Sequence, residues 1–277
     1  MNLFEKAAIL LKRYLSMLGN YVLYVMVIIV VIFLYNLVID PVLGWGQFGK
    51  GKNIPIQVFM VLAATIALSG IVYAIKYRLL KQTPVSFWLL SNFSPIRLSF
   101  AVHLITIGLA FTLLNAASMK LLLYYNLPTF NDFTEDYFSS VPFVYIILSS
   151  VFTTALELIL FIGIMFNEAR KHVPVFWPIL VIALIIAALQ PGGVAMQLLG
   201  VALGFIYGSI YVRLSSMWSI LLVGIVFNIS LFGMKRIGWL DAMENMSSFT
   251  LILLSVVAGL YLIVSALWYW RKPKVAV

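Results

Sequence analysis

Few residues in this chain have side chains able to do chemistry. The first is Glu157, which sits in the apolar run Thr154-Ala155-Leu156-Glu157-Leu158-Ile159-Leu160-Phe161 as the only acid so placed. An ionised carboxylate in hydrocarbon costs about 2.5 to 3.5 kcal/mol, so a glutamate kept there either works as a base or ligand or, protonated, bonds a neighbouring helix. His103, Gln190 and Asn228 also lie in apolar runs, where a polar side chain can hydrogen-bond between helices or line a site. Cysteine is absent and there are only two histidines, which excludes disulfides, iron–sulfur clusters and thiolate zinc sites.

The elements that must position these residues follow from composition. Of 277 residues, 64% are hydrophobic and 10% charged, against about 25% charged in soluble domains. A crossing needs about 20 apolar residues, and the sequence predicts eight, near 20–39, 56–75, 98–121, 141–166, 175–190, 196–212, 217–234 and 248–270. The fold class is therefore all-α, a polytopic bundle of about eight transmembrane helices forming a single domain over 1–277. The fifth and sixth spans are short, separated by Pro191, Gly192 and Gly193, so seven or nine crossings also fit. The first apolar run has no small-residue cleavage site and reads as a retained span.

Charge places the ends. With the N-terminus cytoplasmic, thirteen of the eighteen Lys and Arg fall in inner segments, among them Lys76, Arg78, Arg170, Lys171 and Arg213. That is the positive-inside bias expected of an even number of crossings with both termini in the cytoplasm, in a bacterial cytoplasmic membrane. The tryptophans lie at or near span ends, at headgroup level. The excess of 18 basic over 9 acidic residues thus marks membrane topology, and no nucleic-acid partner is expected. Residues 1–15 and 79–95 mix aromatic and aliphatic with basic side chains and read as inner-leaflet interfacial segments or as loops packed on helix ends. Asp132, Glu135 and Asp136 alternate with aromatics in the loop 126–140, either a docking surface for an outside partner or a solvated loop. Gly200, Gly204 and Gly208 form a stripe that lets a neighbouring helix approach closely.

Between about residues 140 and 232 the order of features resembles the CAAX protease and bacteriocin-processing (CPBP, or Abi) family of intramembrane proteases. Gly204-Phe205-Ile206-Tyr207-Gly208-Ser209-Ile210-Tyr211-Val212-Arg213 is similar to the family's glycine-spaced helix with its Tyr-x-Arg end, and Ser216-Met217-Trp218 to the turn that follows. Glu157 to Gly163 is similar to the family's Glu-Glu-x-x-Phe-Arg-Gly. On this reading 140–232 is a CPBP-like core and 1–139 supplies three N-terminal spans. The resemblance implies an endopeptidase in which glutamate and histidine activate water, with a further histidine and an asparagine at the oxyanion, and with or without a metal. Carried over by position, the first glutamate is Glu157 and the asparagine is Asn228. The second glutamate falls on Leu158, the arginine on Ile162, and the two histidines on Gln190 and Gly224.

A catalytic zinc needs three protein ligands, and the spans offer only Glu157 and His103, so no metal or other cofactor is expected. Glutamine cannot take and return a proton as histidine does, so peptidase activity is expected to be absent or residual. Three functions follow from these residues. The first is a catalytically degenerate CPBP-like scaffold or regulator, which binds a membrane protein or lipid-linked partner in the former active-site cavity with membrane lipid around it. The second is an active endopeptidase using Glu157 with His103 as the replacement histidine. The third is a small transporter, which needs a continuous polar route that so few intramembrane charges do not supply.

Overall fold

The computed structural model describes residues 3–44, 54–80, 91–125, 142–190 and 193–271, and among them the regular structure is entirely helical. Backbone amides in hydrocarbon must bond within their own segment, which long apolar helices achieve. Helix α1 (Leu3–Leu34) continues through a wide π turn (Tyr35–Ile39) and a last turn (Asp40–Leu43). Pro41 has no amide hydrogen and its ring crowds the carbonyl four residues back, Leu37, which lies inside that wide turn. Gly44, at φ 63°, stops the helix.

The remaining long elements are α2 (Ile54–Leu79), α3 (Leu98–Tyr124), α4 (Phe143–Leu158), α5 (Phe176–Leu189), α6 (Gly193–Leu214), α7 (Met217–Arg236) and α8 (Ser248–Arg271). Helix α4 runs on through an eight-residue π segment (Ile159–Phe166) and a short turn (Asn167–Ala169). Among the described residues seven helices are long and apolar enough to cross a bilayer, while α5, with 14 residues or about 21 Å, is shorter than the hydrocarbon is thick.

Contacts sort the chain into two compact units, Met1–Asn92 with Leu156–Val181, and Phe93–Ala155 with Ile182–Val277. In the first, α1 packs along α2 around Val27, Val31, Tyr35 and Val61. The Tyr21 hydroxyl donates to the Pro178 carbonyl at 3.1 Å, and Tyr14 meets Trp177 edge-on, tying the start of α5 to α1. Ser91 lies against Gly163 in the π segment, where any Cβ would strike the serine hydroxyl.

In the second unit α3 is the hub, packed on both α7 and α8. A Cβ at Gly108 would come within 2.8 Å of Val226 on α7, so the glycine permits this crossing. Thr112 reinforces it by donating to the Phe227 carbonyl at 3.2 Å. Helices α5 and α6 meet through the glycine stripe. A Cβ on Gly204 would collide with the Ala183 backbone, and one on Gly200 would lie 2.8 Å from the Ala187 Cα. The turn between α6 and α7 is clasped by the stretch before α3, because the Ser216 hydroxyl donates to the Ser94 carbonyl and the Ser94 hydroxyl to the Ser215 carbonyl.

Three expectations change. Residues 3–15, expected as a segment distinct from the first span, are the opening turns of α1, and nothing between Leu3 and Leu34 interrupts the helix. The sixth span is a full-length helix of 22 residues, so only the fifth is short. Glu157 is not the only acid in a span, because the fourth apolar segment runs to Ala169 and includes Glu168. The acidic loop 126–140, most of the segment 79–95, and Pro191 and Gly192 lie outside the described residues.

Candidate functional site

Glu157 is the penultimate residue of α4, partly buried, with no hydrogen bond or ion pair among the described residues. Leu158 and Ile162, at the second-glutamate and arginine positions, are buried apolar side chains in and beside the π segment. These three belong to the first unit, whereas Gln190, Gly224 and Asn228 belong to the second.

Gln190 closes α5 with its amide bonded to the Ala187 carbonyl at 3.0 Å, and its Cγ fills the space left open by Gly200. It packs the α5–α6 crossing. Asn228 on α7 uses both amide hydrogens, one on Thr154 Oγ1 of α4 at 2.8 Å and one on the Gly224 carbonyl at 2.9 Å. An amide so committed has no donor left for a developing oxyanion. His103 stacks on Tyr269 at 5.6 Å, meets Trp268 edge-on, and has Nδ1 3.3 Å from the Tyr261 hydroxyl. All three partners are on α8, so the histidine is part of the α3–α8 packing.

Among the described residues no three His, Cys, Asp or Glu side chains gather as metal ligands. The residues at the carried-over positions contribute one carboxylate, which does not fit a catalytic zinc with its three protein ligands.

The strongest electrostatic feature is elsewhere. Glu168, 0% exposed, accepts from Lys76 at 2.5 Å, Lys171 at 2.6 Å and the Tyr77 hydroxyl at 2.9 Å. Lys76 also donates to Asn20 Oδ1 at 2.7 Å, so the carboxylate ties α1, α2 and the end of the fourth apolar segment together within one unit. One buried anion held by two cations and a phenol is the arrangement that a buried charge requires. A fourth span ending at residue 166, as the apolar run predicts, stops short of Glu168 and leaves the cluster out of view. The spacing of Glu168 and Lys171, three apart at a helix end, was the available signal.

His172, in the turn after this cluster, has its pKa lowered by burial first and then by Lys76, with Glu168 pulling the other way and Lys171 adding to the decrease. The fold therefore favours the neutral imidazole. Its contribution to stability is complete above the unfolded value of about 6.5 and is lost as pH falls towards and through the lowered folded value. The unfolding midpoint is expected to drop between about pH 7 and 5 by more in the wild type than in His172→Gln. Equal drops would remove His172 from the account.

These helices define a polytopic α-helical membrane protein. No protein-family model, characterised protein or solved structure matches the chain.

Proposed function

We propose that this protein is a catalytically degenerate relative of the CPBP intramembrane proteases that binds a membrane protein or a lipid-linked molecule through Glu157. It sits in a bacterial cytoplasmic membrane with both termini inside, as its charge bias suggests. The observation that carries the reading is the contrast between the two retained motif residues. Asn228 is spent on Thr154 and Gly224, while Glu157 has no hydrogen-bond or ion-pair partner among the described residues. A carboxyl group left without a partner in an apolar helix is costly to keep, and the fold draws nothing from it in return. A ligand that donates to it supplies the reason for its presence.

Two measurements on the purified protein and on native membranes test this. Glu157→Leu is expected to leave the unfolding midpoint unchanged or raise it, since no internal bond is lost. The same variant is expected to retain less than about a tenth of a partner captured from native membranes by the wild type, a loss of about 1.4 kcal/mol or more. Capture that is indifferent to Glu157 ends the binding role. Cleavage of a membrane-proximal peptide that stops in Glu157→Gln would make the protein an active endopeptidase instead.

A further inference from the structure

Near the end of α3 the second unit holds a cavity of about 210 Å³ lined by Lys120, Leu123, Tyr124, Met243, Glu244, Met246 and Leu251. Lys120 is 5% exposed, and it lies in a membrane-spanning segment four residues from the end of α3, or about 6 Å along the axis. An ionisable residue inside a span marks a site unless its charge is fully answered. Here it is answered from one side. Among the described residues the single hydrogen-bond partner of Lys120 is Glu244, whose side chain is 57% exposed and sits on a one-turn 3₁₀ helix. An ammonium has three donors, so two remain without an acceptor among the described residues.

The two partners differ in what separation costs them. Glu244 regains water when it swings away, whereas Lys120 stays enclosed and needs another anion. The walls formed by Leu123, Met243, Met246 and Leu251 suit a hydrocarbon tail. A cavity of this volume has room for a small head and the first methylenes of a chain.

We infer that this cavity binds the oxyanion head of a single-tailed membrane amphiphile, a phosphate or a carboxylate, on Lys120 in place of Glu244. The site is separate from Glu157 and does not depend on the function proposed above. Glu244 then acts as the internal competitor that holds the lysine when no ligand is present. A purely structural ion pair behaves differently: both single variants destabilise the fold and neither changes ligand affinity.

The test uses the full chain, stripped of lipid in a neutral maltoside detergent, with binding read by native mass spectrometry. The probes are lysophosphatidylglycerol, palmitate and, as the uncharged tail, monopalmitoylglycerol. One equivalent of an anionic probe is expected to bind, and the probe that binds identifies phosphate or carboxylate as the head. Lys120→Met is expected to weaken binding at least about tenfold, while Glu244→Gln strengthens it severalfold by removing the competitor. Opposite signs in the two variants support the site. Binding of the uncharged tail as tight as the anionic ones, or weaker binding in Glu244→Gln, overturns it. If Lys120→Met does not fold, Met246→Trp fills the cavity, and undiminished binding in that variant also overturns the proposal.

Discussion

Replacing Glu168 with glutamine is expected to cost about 3 kcal/mol of unfolding free energy, measured in mixed micelles, the largest loss from any single polar change in this protein. The carboxylate is fully buried and accepts three bonds, from Lys76, Lys171 and Tyr77. Glutamine can still accept from the tyrosine but leaves two ammonium groups facing a neutral amide. The contrast is Lys171→Gln, whose side chain is 38% exposed. There the carboxylate keeps Lys76 and Tyr77, and the expected cost is about 1 kcal/mol or less. Similar losses in the two variants would mean that Glu168 is hydrated in the folded protein and does not hold α1 and α2 to the end of the fourth apolar segment.

Gly204→Val is expected to destabilise by about 3 kcal/mol, through a clash rather than a lost bond. The position a Cβ would occupy at Gly204 is already filled by the Ala183 backbone, and a backbone cannot turn aside as a flexible side chain does. Helices α5 and α6 would have to separate, taking Gln190 away from Gly200. Gly233→Ala on α7 is the control, because a Cβ there meets nothing within 4 Å. That change is expected to be neutral or to stabilise by up to about 1 kcal/mol through helix propensity. If Gly204→Val proves as mild as the control, the close approach of α5 to α6 is not part of the native packing.

The glycine stripe was legible in advance because spacing by four puts residues on one face of any helix, whatever packs against it. The partner helix was not legible, since Ala183 and Ala187 resemble every other small residue in an apolar run. Gln190 illustrates the same division. Its apolar surroundings marked it as a buried polar residue, but its packing against Gly200 depends on where α5 ends. For Asn228 the sequence allowed either a bond between helices or a free oxyanion donor. Thr154 decides this, 74 residues away in the chain.

The two acids of the fourth apolar segment set the limit most clearly. Glu168 stands eleven positions after Glu157, about three α-helical turns, so regular geometry places them on one stripe. The π segment between them has wider turns, each taking up an extra residue, and it carries Glu168 off that stripe. Glu168 then meets Asn20's partner Lys76, while Glu157 meets no partner among the described residues.

By itself the sequence determined that this is a multi-pass helical membrane protein. Apolar length and basic flanks are one-dimensional properties, and hydrocarbon leaves a helix as the economical way to satisfy the backbone of such a run. Only the tertiary structure decided which buried charges are answered and which are not. That outcome turns on helix phase and on the depth at which segments distant in sequence come level. Among the described residues Glu168 finds two lysines, Lys120 finds one exposed glutamate, and Glu157 finds no partner.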